Sequence, residues 1–464
     1  MADATTRENG SSLTTTWGTL AASFGFALVQ LDVTIVNVAL PRMASELHAG
    51  VSALQWIVDA YALSFAVLLL LMGFLGDRWG ARRVYQAGLV LFALASLGCG
   101  LSIDAPTLIV ARAVQGLAAA AMLPNSLALI NRANGHDRRQ RARAIGWWTA
   151  SGSIAIAAGP IVGGLLLGFA SWRSIFLINL PACAIGVWLA WRMPAFAPKH
   201  VRRSFDIQGQ VLAVLALAAL TAAIIQARPM GWTSPFVCAG FVVAVLAGAG
   251  FIWTEWRSDA PMLPLHFFSR PGFSPAVGYG VMVNLTYYGM VFVLSLYLQR
   301  VLGYSALHTG LAYLPLTATF FGVNVLSGWL IGVIGARPLM VIGALIDAGG
   351  FGLLLLLDAQ SSYWLMLPAF ALLPAGMGLG VPAMTNTVLS AVQPESSGIA
   401  SGVLNAARQA GGAIGVAVFG AFAGDGRAHV VEGLHISAWI SIGLLVLAAV
   451  MAAVGIHPHV EKRV

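Results

Sequence analysis

The stretch "GFLGDRWGARR" (residues 73–83) decides the reading of this chain. It lies between two long apolar runs and reads as a short polar turn joining two membrane-length segments. Its glycines suit a tight turn and close contact between segments. Asp77 can face a helix N-terminus or pair with a basic residue, and Arg78, Arg82 and Arg83 gather positive charge on one side. A second copy, "GWLIGVIGARP", stands 255 residues further on at 328–338, with Gly328, Gly335, Ala336 and Arg337 in register with Gly73, Gly80, Ala81 and Arg82. Two six-span halves of ordinary length would be offset by roughly 200 residues. The surplus is about one further pair of spans. The chain therefore reads as a duplicated six-span unit with a helix pair inserted between the copies, an arrangement of transporters. Gly332 stands in the second copy where Asp77 stands in the first, so the two turns differ in charge.

Composition agrees. Of 464 residues 59% are hydrophobic and only 9% charged, far below the quarter typical of soluble domains. Near charge-free windows lie at 17–40, 51–75, 84–103, 105–131, 144–170, 174–191, 207–227, 235–254, 272–299, 307–333, 338–357, 362–390, 397–423 and 434–456, which is fourteen. The division that follows is a tail at 1–16, a first bundle at 17–193, a linker at 194–206, the inserted pair at 207–256, a loop at 257–270, a second bundle at 271–456 and a tail at 457–464. With the N-terminus inside, 18 of the 25 Lys and Arg fall on the cytoplasmic side, so both termini are expected there. The net charge of +8 is explained by that bias and does not call for nucleic acid. The polar stretch 1–16 is expected to be an irregular tail and not a cleaved leader. Cys99, Cys183 and Cys238 lie in apolar runs without metal-ligand spacing.

At this point the motifs resemble a family. The 73–83 turn is similar to the loop between the second and third helices of the major facilitator superfamily. "ARAVQGLAAAAMLP" (111–124) resembles its fourth-helix motif, with Arg112, Gln115 and Gly116 in place. "GSIAIAAGPIVGG" (152–164) resembles the fifth-helix antiporter motif, with Ala155 where Gly is usual. "LDVTIVNVALP", "WRSIFLINLP", "YLQRVLGYS" and "NAARQAGGAIG" resemble the fourteen-span drug/proton antiporter branch. The resemblance implies an all-α polytopic protein of the major facilitator fold, with two six-helix bundles plus two inserted helices. It implies a multidrug efflux transporter in the plasma membrane, the inner membrane of a bacterium. It also implies a cytoplasmic gate made of Gly73, Asp77, Arg78, Gly80, Arg82 and Arg83. Within the antiporter motif, Gly159 and Gly163 form a small-xxx-small pair that allows close helix packing, Pro160 removes a backbone hydrogen bond, and Gly164 adds a further small residue.

Several charges stand inside the windows. An ionised carboxylate at membrane depth costs several kcal/mol unless it is paired, hydrated or protonated. At 1.5 Å per residue, Asp32 lies about 14 Å, Asp59 about 12 Å and Arg112 about 9 Å from the outer ends of their spans. Asp347 lies about 15 Å from the inner end of its span. Burial and a neighbouring arginine act in opposite directions on a carboxyl's affinity for a proton. Asp32, Asp59, Arg112 and Asp347 are therefore expected to form a proton-coupling set, in which a cationic cargo and a proton compete for a carboxylate. Arg408, beside Asn405 and Gln409, reads as structural, and Asp358 as a solvated helix end. The candidate cavity is lined by Gln30, Asn37, Trp56, Tyr61, Asn284, Tyr287, Tyr288, Asn324 and Asn386, since aromatics near carboxylates suit lipophilic cations.

The expected function is proton-coupled export of small lipophilic, cationic or aromatic drugs by alternating access. A dedicated exporter of one metabolite, such as a self-made antibiotic or a siderophore, fits the same fold. A non-transporting sensor is the alternative of another class, and it lacks a sizeable soluble signalling domain in this sequence. No nucleotide-binding G-x-x-x-x-G-K-[ST] loop and no catalytic constellation is present, so neither an ATP-driven pump nor an enzyme is expected. The partners are then a small-molecule substrate, protons and the lipid bilayer, with no cofactor, no metal and no nucleic acid. The proton gradient supplies the drive, and the chain is expected to act as a monomer.

Overall fold

The computed structural model describes residues 2–133, 138–193, 206–258, 261, 263–393, 397–424 and 426–456. Most of the expected linker 194–206 and all of the tail 457–464 lie outside the described residues, as do the side chains of Arg132, Arg138, Arg139, Arg141 and Arg143. Sixteen α-helices, a 3-10 helix at Leu265–Phe267, a π-helix at Tyr297–Val301 and no strand occur among the described residues. In chain order the α-helices are α1 (Ala2–Glu46), α2 (Val51–Trp79), α3 (Ala81–Leu101), α4 (Ala105–Ala133), α5 (Arg138–Phe169), α6 (Ser174–Leu177), α7 (Asn179–Trp191), α8 (Ile207–Met230) and α9 (Pro235–Arg257). The second part comprises α10 (Phe273–Leu296), α11 (Ala306–Ala312), α12 (Leu314–Ile334), α13 (Ala336–Leu354), α14 (Tyr363–Ser390), α15 (Ser397–Ala423) and α16 (Arg427–Gly455). Helix α1 starts at Ala2, so the polar stretch expected as an irregular tail is helical.

Among the described residues, thirteen stretches are long and apolar enough to cross a membrane, with α6–α7 and α11–α12 each forming one of them. Helix α15 falls outside that set because Asn405, Arg408 and Gln409 lower its hydropathy, yet it packs along α2, α10 and α16. Its polar residues are tolerated because they face protein.

The two copies of the repeated turn fold alike. Gly80 joins α2 to α3 at φ +100°, and Gly335 joins α12 to α13 at φ +81°. Only glycine takes that backbone at no steric cost, which explains why this position is shared by both copies.

Helices α1–α7 pack among themselves, as do α10–α16, and α8 pairs with α9. The seam between the halves is formed by α2 against α15, α5 against α11 and α12, and α1 against α10. Its two ends differ. At the end carrying Glu46, a single apolar cluster runs from Ile35, Leu40 and Phe176 of the first half into Phe292, Val293 and Leu296 of the second. Toward the end carrying Gly80, Phe65, Tyr85 and Phe92 form a separate cluster within the first half. Hydrogen bonds reinforce the Glu46 end. Gln55 donates to the carbonyls of Val416 (3.3 Å) and Ala417 (2.7 Å), Ser295 to that of Asn37 (2.6 Å), and Gln299 to that of Val38 (3.1 Å). The halves are thus sealed together at the Glu46 end.

Helix α8 lies along the same seam. Gln210 donates to the Val67 carbonyl on α2 at 2.6 Å, and Arg228 donates to the Ala421 and Phe422 carbonyls of α15, both at 2.8 Å.

Candidate functional site

Asp32 is fully buried on α1, and its carboxylate is held from two other helices. Arg112 of α4 donates to Oδ2 at 2.5 Å. Gln115 of α4 and Asn179 of α7 donate to Oδ1 at 2.8 and 3.0 Å. The Ser96 hydroxyl on α3 accepts from the same two amides at 2.9 and 3.2 Å. Arg112 also donates to the Gln115 amide oxygen (2.7 Å) and to the Ile57 carbonyl (3.1 Å). Its guanidinium carbon lies 4.2 Å from the centre of the Tyr61 ring, a cation–π contact. Charge at membrane depth persists here because both carboxylate oxygens accept hydrogen bonds and each charge faces its opposite.

The tight arrangement is made possible by small residues. A side chain at Gly116 would strike the Tyr61 carbonyl, so α4 and α2 approach closely at the level of Arg112. Gly159 lies against Thr34 and Ile35, and Gly163 against Ile35, which brings α5 onto α1 just beyond Asp32. Gly164 is buried, and the Pro160 carbonyl touches Gly310 on α11, so the 152–164 motif contacts both halves.

Asp59 presents the opposite case. It is fully buried, and neither carboxylate oxygen has a hydrogen-bond partner. It lies one helical turn after Gln55, on the α2 face that packs against α15. No contact there offsets a negative charge at membrane depth. Asp347 is buried in the other half, on α13 against Gly376 of α14. The structure thus brings Asp32 and Arg112 together, puts Asp59 on the next helix two positions from Tyr61, and places Asp347 in the second bundle.

The expected gate residues lie at the Gly80 end. Gly73 faces Pro124, and Gly76 faces Asn125, whose amide donates to the carbonyls of Met72 (3.0 Å) and Ala121 (2.9 Å). Arg82 donates to the Trp191 carbonyl at 3.0 Å and so fastens α3 to α7 within the first half. Arg78 is exposed, Asp77 is half-buried, and Arg83 borders an open apolar groove of about 500 Å³ between α2, α3 and α4.

The expected cavity residues are dispersed. Asn37 and Tyr287 line a cavity of about 20 Å³ in the seam, together with Thr34 and Pro160. Tyr61 stacks on Arg112, and its hydroxyl has no partner. Tyr288 stands edge-on to Tyr287 with centroids 5.3 Å apart, and the Asn284 amide donates to the Arg408 carbonyl at 3.2 Å. Trp56 packs on Ile224 and Ile225 of α8 and Ala417 of α15, on the inserted-pair side. Gln30 and Asn324 are half-buried, and Asn386 is exposed on α14. Ser96, Gln115 and Asn179 belong to the site although sequence reasoning did not place them there. Their signal was present for two of them: Gln115 lies one turn after Arg112, and Asn179 interrupts the apolar run before Pro181.

Comparison with known proteins follows the same lines. The family model described as Major Facilitator Superfamily matches residues 22–416. The chain is 36% identical over 439 residues to a methylenomycin A resistance protein of Bacillus subtilis, covering 93% of this chain and 94% of the relative. It is 36% identical over 445 residues to the multidrug resistance protein Stp of Mycobacterium tuberculosis, covering 96% of this chain and 78% of that one. Among solved structures, the xylose transporter XylE from E. coli in a partially occluded inward open conformation superposes with a TM-score of 0.65 at 16% identity, covering 94% of this chain and 96% of XylE. That likeness concerns the fold.

Proposed function

The chain belongs to the Major Facilitator Superfamily, and from that premise we propose that it exports small lipophilic drugs in exchange for protons by alternating access. Drug export is supported by relatives whose names record resistance to methylenomycin A and to multiple drugs. The proton reading is carried by one observation: a buried carboxylate, Asp32, whose charge is matched by a single arginine. A proton arriving on Asp32 removes the reason for Arg112 to stay. The guanidinium then shifts along its remaining contacts, Ile57 and Tyr61 on α2, and the tie between α1 and α4 loosens. Asp59, on the α2 face toward the seam, is the complementary acid: with no partner it is suited to hold a proton in this state and to release it when the seam opens. Asp347, buried on α13, is the corresponding acid of the second bundle. With the Glu46 end taken as external, the sealed seam corresponds to a carrier closed to the outside.

The test uses proteoliposomes and a panel of dyes and antibiotics, reading substrate-induced proton movement. Wild type is expected to move protons with several substrates, and Asp32→Asn to insert normally but lose proton-driven export. Unchanged export by Asp32→Asn would remove the coupling role. A second reading, export of a single antibiotic, is favoured by the Bacillus subtilis relative being named for one compound. A response confined to one member of the panel would establish it.

A further inference from the structure

Arg408 stands in the middle of α15, within a membrane-length helix, and the mechanism above makes no use of it. Its Nε donates to Asn284 Oδ1 at 3.3 Å. The two terminal nitrogens have no hydrogen-bond partner, and no carboxylate lies within ion-pair distance among the described residues. The contrast with Arg112 is direct, since that guanidinium is paired with Asp32 and also donates to Gln115 and Ile57. A guanidinium does not lose its proton in a protein, so Arg408 carries a positive charge at membrane depth without a counter-ion.

Its direction follows from its neighbours. Gly402 and Gly420 mark the α15 face against α2, where they meet Leu70 and Gln55. Ala417 and Ala421 mark the face against α8. At 100° per residue, Arg408 and Gly412 fall on the remaining arc, beside α10 and the seam. Arg408 is half-buried. One turn on, Gly412 lies against the Tyr288 ring, which stands edge-on to Tyr287 at the seam cavity. A free cationic fork therefore sits beside an aromatic wall and an amide.

We propose that Arg408 is the binding group for an organic anion, and that the cargo of this carrier includes aromatic carboxylic acids. The carboxylate takes the two free terminal nitrogens of the fork, and the ring lies against Tyr288. The proposal rests on the export reading and narrows its substrate class. It also changes the electrical balance. Exchange of one external proton for one internal monoanion moves two positive charges inward, so an interior-negative potential drives export together with the pH gradient.

Binding to the full-length chain purified in detergent tests this without transport. Isothermal titration is made with 1-naphthoate, 1-naphthamide and 1-naphthylmethylammonium. The acid is expected to bind wild type at least tenfold more tightly than the amide. Arg408→Gln is expected to erase that preference and leave the amide unchanged, and Arg408→Lys to keep part of it, since charge remains without the fork. Wild type binding the acid no better than the amide would overturn the proposal, as would a preference that survives Arg408→Gln. Equal loss of all three ligands in both variants would reduce Arg408 to a brace for Asn284 and also overturn it. If Arg408→Gln fails to fold, the wild-type comparison and Arg408→Lys still decide. Failure of proton-driven export in vesicles bears on the export reading alone, because this measurement needs no gradient.

Discussion

Asp32 and Arg112 are 80 positions apart in the chain and in direct contact in the fold, and nothing but protein surrounds them. Removing one charge strands the other. A broken buried pair costs about 3–5 kcal/mol, whereas removing both charges is often close to neutral. Asp32→Asn is therefore expected to lower the melting temperature of the purified protein, and Asp32→Asn with Arg112→Gln to recover most of it while leaving export absent. Thermal unfolding of the two variants side by side checks this. A double variant no more stable than the single would show that the pair does not act as a unit.

Gly159 and Gly168 lie on the same helix and should respond oppositely to added bulk. A side chain at Gly159 meets Thr34 and the backbone of Ile35, while Gly168 has open space around it. Gly159→Val is expected to cost about 1–3 kcal/mol through overpacking. Gly168→Ala is expected to be neutral or slightly stabilising. Melting curves in one detergent separate the two, and equal effects would mean that α1 and α5 do not touch at this motif.

Gln55 ties α2 to α15 at the sealed end through the Val416 and Ala417 carbonyls. Gln55→Leu removes a net contribution of about 1 kcal/mol, a shift of roughly fivefold toward the state open at the Glu46 end. Thr317 lines the seam cavity, so a Thr317→Cys reporter can read that shift. The exposed Cys238 is first replaced by serine; Cys99 and Cys183 are buried. Faster maleimide labelling from the Glu46 side is expected in Gln55→Leu. An unchanged rate would place the seal elsewhere.

Asp104 precedes α4 outside the spans and accepts from the Thr107 backbone N–H (2.9 Å) and hydroxyl (2.7 Å). Those hydrogen bonds hold its carboxyl below the usual carboxylate range. A depressed value in the folded state means the stabilisation is complete above about pH 4, the unfolded value, and is lost as pH falls through the folded one. The melting-temperature gap between wild type and Asp104→Ala should stay constant from neutral pH down to mildly acid pH. It should close only in strong acid. A gap that changes between pH 6 and 8 would point to a different group.

Much of this was readable in the chain because charge inside an apolar window is conspicuous. Asp32, Asp59, Arg112 and Asp347 stood out for that reason, and the Gly80–Gly335 match stood out because both turns need the same unusual backbone. What could not be read was direction. Depth along a span placed Asp347 level with Asp32, but it says nothing about which bundle encloses a side chain. Trp56 shared the composition of a cavity residue, yet it faces α8, a contact set by how the inserted pair docks. Ser96 was hidden for another reason: serines are frequent in membrane helices, and only the fold shows which one receives both amides.

Helix α8 is fastened to Val67 in one half by Gln210 and to the end of α15 in the other by Arg228. Two bodies that rotate against each other cannot both keep hold of one rigid rod. Rocking of the two halves would therefore unhook one anchorage and remake it. Helix α8 packs on α2 as well as on α15, so the insert lies across both halves like a bolt shot between two doors.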